Sequence, residues 1–81
     1  VIKKFQRRPG IIEALRWDGT NITELTKFLG GSLRLDYGDP IISTAEGEMR
    51  APVGWWVVKG VEGEWYTCRP SVFEKNYEEI A

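Results

Sequence analysis

The chain contains no histidine and a single cysteine, Cys68. Those two gaps remove much of the familiar catalytic repertoire. Without histidine there is no Ser/His/Asp or Cys/His nucleophile system, no His-ligated zinc and no histidine pH switch. One cysteine cannot form an intrachain disulfide or a zinc ribbon, so the expectation is a core that holds itself together in a reducing compartment. Long hydrophobic runs are missing as well. The longest apolar stretch lies between Val53 and Val58, whereas a membrane span needs about 20 residues and a signal-peptide core about 7 to 15. The reading is therefore a soluble, unexported, cytoplasmic protein with no membrane contact.

Charge of one sign is also lacking: the formal net charge is −1, without the basic excess of a phosphate-binding surface, so nucleic acid is not favoured as a partner. The nine glycines show neither Walker nor dinucleotide spacing, and the acids near the later turns, Asp36, Asp39, Glu46 and Glu48, match no calcium loop. They read as solvated turn acids. Neither a cofactor nor a metal site is expected.

What is present is bulky. In 81 residues the chain carries four Trp, three Tyr and three Phe, and each aromatic buries roughly 150 to 250 Å². A single domain over residues 1–81 follows, because the length lies below the usual domain mode of about 100 to 150 residues. Lys3, Lys4, Arg7 and Arg8 make the N-terminal end basic, and Glu74, Glu78 and Glu79 against Lys75 make the C-terminal end acidic. The basic run has two readings, a strand edge kept from aggregating by its charges or a contact for an anion.

Ile2 to Phe5 looks extended, and Arg8-Pro9-Gly10 breaks it. Ile11 to Trp17 resumes as a strand whose alternation puts Ile11, Glu13, Leu15 and Trp17 on one face. Asn21 with Glu24 has the spacing of a capping box, and Ile22, Leu25, Phe28 and Leu29 recur at helical spacing until Gly30-Gly31. A helix over about residues 22–29 is predicted. Short alternating runs follow, around Leu33–Tyr37, Ile41–Ala45, Glu48–Ala51, Trp55–Lys59 and Glu64–Arg69, with turns at Gly38-Asp39-Pro40, Glu46-Gly47, Pro52-Val53-Gly54 and residues 60–63. Ser71 with Glu74 suggests a second capping box before a short C-terminal helical turn. The predicted fold is α+β: a small antiparallel sheet of about six strands, curled or closed into a partial barrel, packed on one main helix.

Glu13 is the sharpest chemical candidate. Flanked by Leu15 and Trp17, a buried acid there would have a raised pKa and suit general-acid work; pairing with Arg16, Arg34 or Arg50, or exposure through strand twist, is the competing reading. Cys68 beside Arg69 reads as a small packing residue rather than an activated thiol. The adjacent Trp55 and Trp56 must face opposite sides of a strand, so either one ring is exposed as a contact residue or the sheet curls and buries both, with Trp65 joining the cluster. Trp55, Trp56 and Trp65 are the candidate binding residues, and Lys3, Lys4, Arg7 and Arg8 the candidate anion contacts.

Arg7-Arg8-Pro9, Ile12-Glu13-Ala14 and Trp17 at one end, and Thr44, Glu46, Gly47, Met49, Gly54, Trp56, Gly60, Gly63, Glu64, Tyr66, Cys68, Arg69, Pro70, Phe73, Glu74 and Tyr77 at the other, form a pattern. In these residues the chain resembles a group of short phage and prophage proteins of uncharacterised activity. It departs from their Pro-Gly-Asp-aromatic turn, having Val53 and Trp55 in place of the Pro and Asp. The resemblance implies a phage or prophage setting rather than a mechanism. The leading expectation is a non-enzymatic accessory protein that binds a host or phage macromolecule, in the first place a protein, with a homodimer as the assembly to test. The alternative is a small-ligand, nucleotide-like binding or sequestering protein, in which aromatics stack a base and the N-terminal cations hold phosphates. A carboxylate enzyme using Glu13 is third.

Overall fold

In the computed structural model, which describes residues 2–4 and 10–80, the elements run β1 (Glu13–Arg16), α1 (Ile22–Phe28), β2 (Arg34–Asp36), β3 (Asp39–Thr44), β4 (Gly47–Arg50), β5 (Trp56–Lys59), β6 (Trp65–Cys68) and α2 (Pro70–Asn76). The α+β class with antiparallel pairing holds. The single curled sheet does not. Six strands form two three-stranded antiparallel sheets, ordered β1-β5-β6 and β2-β3-β4, with no closed barrel among the described residues.

The division originates at the 52–55 corner. Gly54 N–H donates to Trp17 O at 2.6 Å and Trp17 N–H donates to Trp55 O at 2.9 Å, so the corner continues the β1–β5 ladder, in which Leu15 lies opposite Val57 and Arg16 opposite Trp56. Gly54 is buried with φ of 95°, a backbone region that side chains disfavour, and an added Cβ would meet the Arg16 guanidinium at 3.5 Å. With β5 captured by β1, the segment before the corner has only itself to pair with. It closes as a three-stranded meander whose central strand, β3, lies against β6.

The helix ends as its glycines predict. Gly31 N–H donates to Thr26 O and Gly30 N–H to Lys27 O, the paired bonds of a Schellman stop. Its start differs from expectation. Asn21 makes no cap to the helix amides; its Oδ1 accepts Asp18 N–H and its Nδ2 donates to Arg16 O and, at 3.4 Å, to Glu24 Oε1. The side chain is drawn back toward the strand because Asp18 Oδ1 organises the turn, accepting Thr20 N–H, the Thr20 hydroxyl and Asn21 N–H. Ser71 is no cap either. The second helix begins at Pro70 with Arg69 preceding it and no side-chain cap bond, since a fixed φ and a missing N–H suit proline to the first helical turn.

Trp17, Leu25, Ile42, Ala51 and Val57 form the buried core between β1-β5-β6, α1 and β3, with Trp55, Trp65, Phe28 and Leu15 packed around it. The opposite face of β1-β5-β6 is covered by α2. There Trp56 stacks on Phe73 with ring centres 4.2 Å apart, Phe73 stacks on Tyr77 at 4.9 Å, and the Tyr66 and Tyr77 hydroxyls lie 2.9 Å apart. Val57 and Val58 are consequently both fully buried although they point to opposite faces.

The remaining local differences are small. Ile2–Lys4 belong to no strand, and Phe5, with the break expected at Arg8-Pro9, lies outside the described residues. The Ile11–Trp17 strand is shorter than predicted. The turn after β3 is formed by Ala45 and Glu46, and Gly47 already pairs with Thr44.

Candidate functional site

Glu13 is exposed, not buried. It pairs with Lys59 at the open end of the β1–β5 ladder, and Ile11 on the same strand face is also exposed. Burial on that face starts only at Leu15 and Trp17, where Trp55 and α1 provide cover. The arginines weighed as its partners are engaged elsewhere: Arg16 Nε donates to Gly54 O at 3.2 Å, Arg34 pairs with Glu48 at 2.5 Å, and Arg50 pairs with Asp36. Among the described residues no charged side chain is buried, and no group of three or more Cys, Asp or Glu gathers to hold a metal ion.

The three candidate tryptophans are all half-buried and do not share one patch. Trp65 meets Phe28 edge-to-face at 5.1 Å, Trp55 lies under the Arg69 guanidinium at 5.7 Å, and Trp56 sits on the other side of the sheet in the stack with Phe73. Neither ring of the adjacent pair is left bare, because both faces of their sheet are covered. Lys3 and Lys4 are exposed, and Arg7 and Arg8 lie outside the described residues. A groove of about 200 Å³ is lined by Leu29, Leu33, Ile41, Ile42 and Trp65 with Ser32 and Ser43, and among the described residues its lining contains no Lys or Arg.

The titrations of Asp18 and Cys68 are perturbed. Asp18 is held below its ordinary value, first by the Thr20 hydroxyl and then by Thr20 N–H, against an opposing desolvation, with Asn21 N–H and Arg16 adding smaller contributions. Burial pushes the Cys68 thiol up and Arg69 only partly offsets it, so the thiol stays protonated at neutral pH, as a packing residue would.

The surface that sequence reasoning missed is on β2-β3-β4. The β2–β3 hairpin turns on Tyr37 and Gly38, both at positive φ (51° and 83°), with Asp36 paired to Asp39 across it. This is the backbone of a two-residue type I′ turn, for which Asn-Gly is the favoured pair. A tyrosine in that conformation costs on the order of 1 kcal/mol. Its side chain is 93% exposed, with the Arg50 guanidinium 5.7 Å from the ring centre. Leu35 and Met49, exposed on one face of the same sheet, flank buried Pro40 and Ile42.

The opposite face of this sheet is charged. The register places Arg34, Asp36, Glu48 and Arg50 on it, and the Arg34–Glu48 and Arg50–Asp36 pairs reach diagonally across β3. Asp39, expected to be free in a turn, accepts Trp17 Nε1–H at 3.3 Å and ties the two sheets together. The only signal available beforehand was the spacing of Arg34, Asp36, Glu48 and Arg50 around the β3 turns, which becomes informative once the register is known.

No family model, curated protein or solved structure matches this chain.

Proposed function

We propose that the chain is a non-enzymatic accessory protein of phage or prophage that binds a host or phage macromolecule, in the first place a protein, through the tip of the β2–β3 hairpin. The observation that carries this reading is Tyr37. A large aromatic held at positive φ with its ring in solvent contributes nothing to the core and costs backbone energy. Local stability favours asparagine at that position, and tyrosine is among the residues most often found as a contact hot spot. Arg50 beneath the ring, on the charged face of the sheet, supplies a donor for a polar rim.

A photoreactive phenylalanine analogue at position 37 tests the reading in cells that carry the gene's phage or prophage. A discrete adduct is expected, competed away by excess unmodified protein but not by Tyr37→Asn protein. Equal competition by Tyr37→Asn would remove Tyr37 from the interface and the reading with it. The small-ligand alternative finds less support, because among the described residues the groove containing Trp65 has no cation in its lining.

A further inference from the structure

The free edge of β4 is self-complementary, and we infer that two copies of this chain pair through it, antiparallel, about a two-fold axis at Met49. The inference does not rest on the Tyr37 reading. It starts from which backbone groups are unpaired. Ala51 N–H donates to Pro40 O at 3.0 Å, and Ile42 lies opposite Met49 and Thr44 opposite Gly47. Antiparallel ladders alternate bonded and non-bonded pairs, so Gly47, Met49 and Ala51 direct their backbone groups toward β3. The N–H and C=O of Glu48 and Arg50 therefore point out of the sheet at its edge. All four residues of β4 are exposed, and β4 is the last strand of its sheet.

An exposed edge with unpaired donors and acceptors is a template for another strand. Among the registers in which a second β4 can bond, the charges select one. Parallel pairing in register, or an antiparallel slip by one pair in either direction, sets Glu48 against Glu48 or Arg50 against Arg50. The antiparallel register centred on Met49 sets Glu48 of one copy against Arg50 of the other, twice by symmetry. The same two residues own the outward backbone groups, so each Glu48–Arg50 pair closes both its N–H···O bonds and its ion pair. Met49 meets its symmetry mate on the uncharged face.

The intramolecular ion pairs then extend across the axis. Glu48 already holds Arg34 and Arg50 already holds Asp36, so the seam becomes an alternating row of Arg34, Glu48, Arg50 and Asp36 shared between copies. Pro52, two residues beyond Arg50 and on the same outward parity, has no N–H and ends the ladder. A seam this short makes a weak, concentration-dependent dimer rather than an obligate one.

The test is a charge-swap by mixing. Sedimentation equilibrium over a concentration series should show wild-type self-association, with Glu48 and Arg50 amides gaining hydrogen-exchange protection as concentration rises while the Met49 amide, already bonded to β3, changes little. Glu48→Lys alone and Arg50→Glu alone should each weaken self-association by at least about tenfold, a cost of about 1.4 kcal/mol, because each puts like charges opposite each other twice. Mixed together, the two variants should form a heterodimer. In it the introduced lysine of one chain faces the introduced glutamate of the other, and the native Arg50 of the first faces the native Glu48 of the second. Circular dichroism and thermal melting confirm that each variant is folded. Tyr37→Asn should leave the dimer intact, which separates this inference from the partner-binding reading. A monomeric wild type at millimolar concentration, single variants that associate like wild type, or a mixture that does not associate would each overturn it.

Discussion

The two sheets have the same number of strands and opposite surroundings. In β1-β5-β6 the central strand is buried on both faces, with Val57 facing the core and Val58 facing the α2 side, and each neighbouring tryptophan is covered by another ring or a guanidinium. In β2-β3-β4 only the middle of one face is buried, the opposite face is a lattice of exposed ion pairs, and the hairpin tip is a strained, solvent-facing tyrosine. The difference is first one of stability. Apolar area removed from water holds the first sheet, whereas the exposed charges of the second contribute little to folding.

The largest expected effect that sharpens this contrast is at Leu25, which is fully buried on α1 within the core. Leu25→Ala should destabilise the protein by about 3 kcal/mol in urea denaturation; a loss below about 1 kcal/mol would mean that the helix does not seal the first sheet. Next is Thr67 on β6, opposite Val57, whose hydroxyl is buried without a hydrogen-bond partner. Thr67→Val should raise stability by about 1 kcal/mol, because it removes an unsatisfied polar atom at nearly constant shape, and a measured loss would break the picture of a dry core face.

At the second sheet the expected change is smaller. Glu48→Gln removes the Arg34 ion pair, whose side chains are 60% and 62% exposed, and should alter the stability of the monomer by less than about 0.5 kcal/mol in dilute solution. A loss comparable to that of Leu25→Ala would erase the distinction between the sheets. The smallest effect concerns pH. The folded pKa of Asp18 is depressed, so its contribution is present above the unfolded aspartate value of about 3.9 and is lost as pH falls through the folded value. Asp18→Asn should therefore lower stability slightly at neutral pH and flatten the lowest part of the acid-unfolding curve, so that the variant and wild type converge toward pH 2. Thermal melts from pH 2 to 7 resolve this, and a difference that grows on acidification would contradict it.

Much of the candidate surface was not legible beforehand because its meaning depends on register. Trp55, Trp56 and Trp65 stood out as residue types, yet only the covering of both sheet faces shows that each ring is half-buried against a neighbour. Tyr37 is one of three tyrosines and has no local mark of exposure; only its place in a two-residue turn makes it informative. Glu13 was placed on the more apolar strand face with its burial left open, because alternation assigns the face but not where along the strand its cover ends.

The sequence by itself determined what is set within a few residues. The apolar spacing and the Gly30-Gly31 stop bounded α1, the turn residues separated the strands, and the lack of histidine removed whole classes of chemistry. Those outcomes depend on local hydrogen bonds, backbone preferences and side-chain inventory. The tertiary structure alone decided that β5 leaves the meander for β1, that six strands divide into two sheets, and that Glu13 is exposed while Val58 is not. Each follows from pairing between segments distant in the chain, where the hydrogen-bonding potential of every edge is alike and the choice is made by which faces can be covered together.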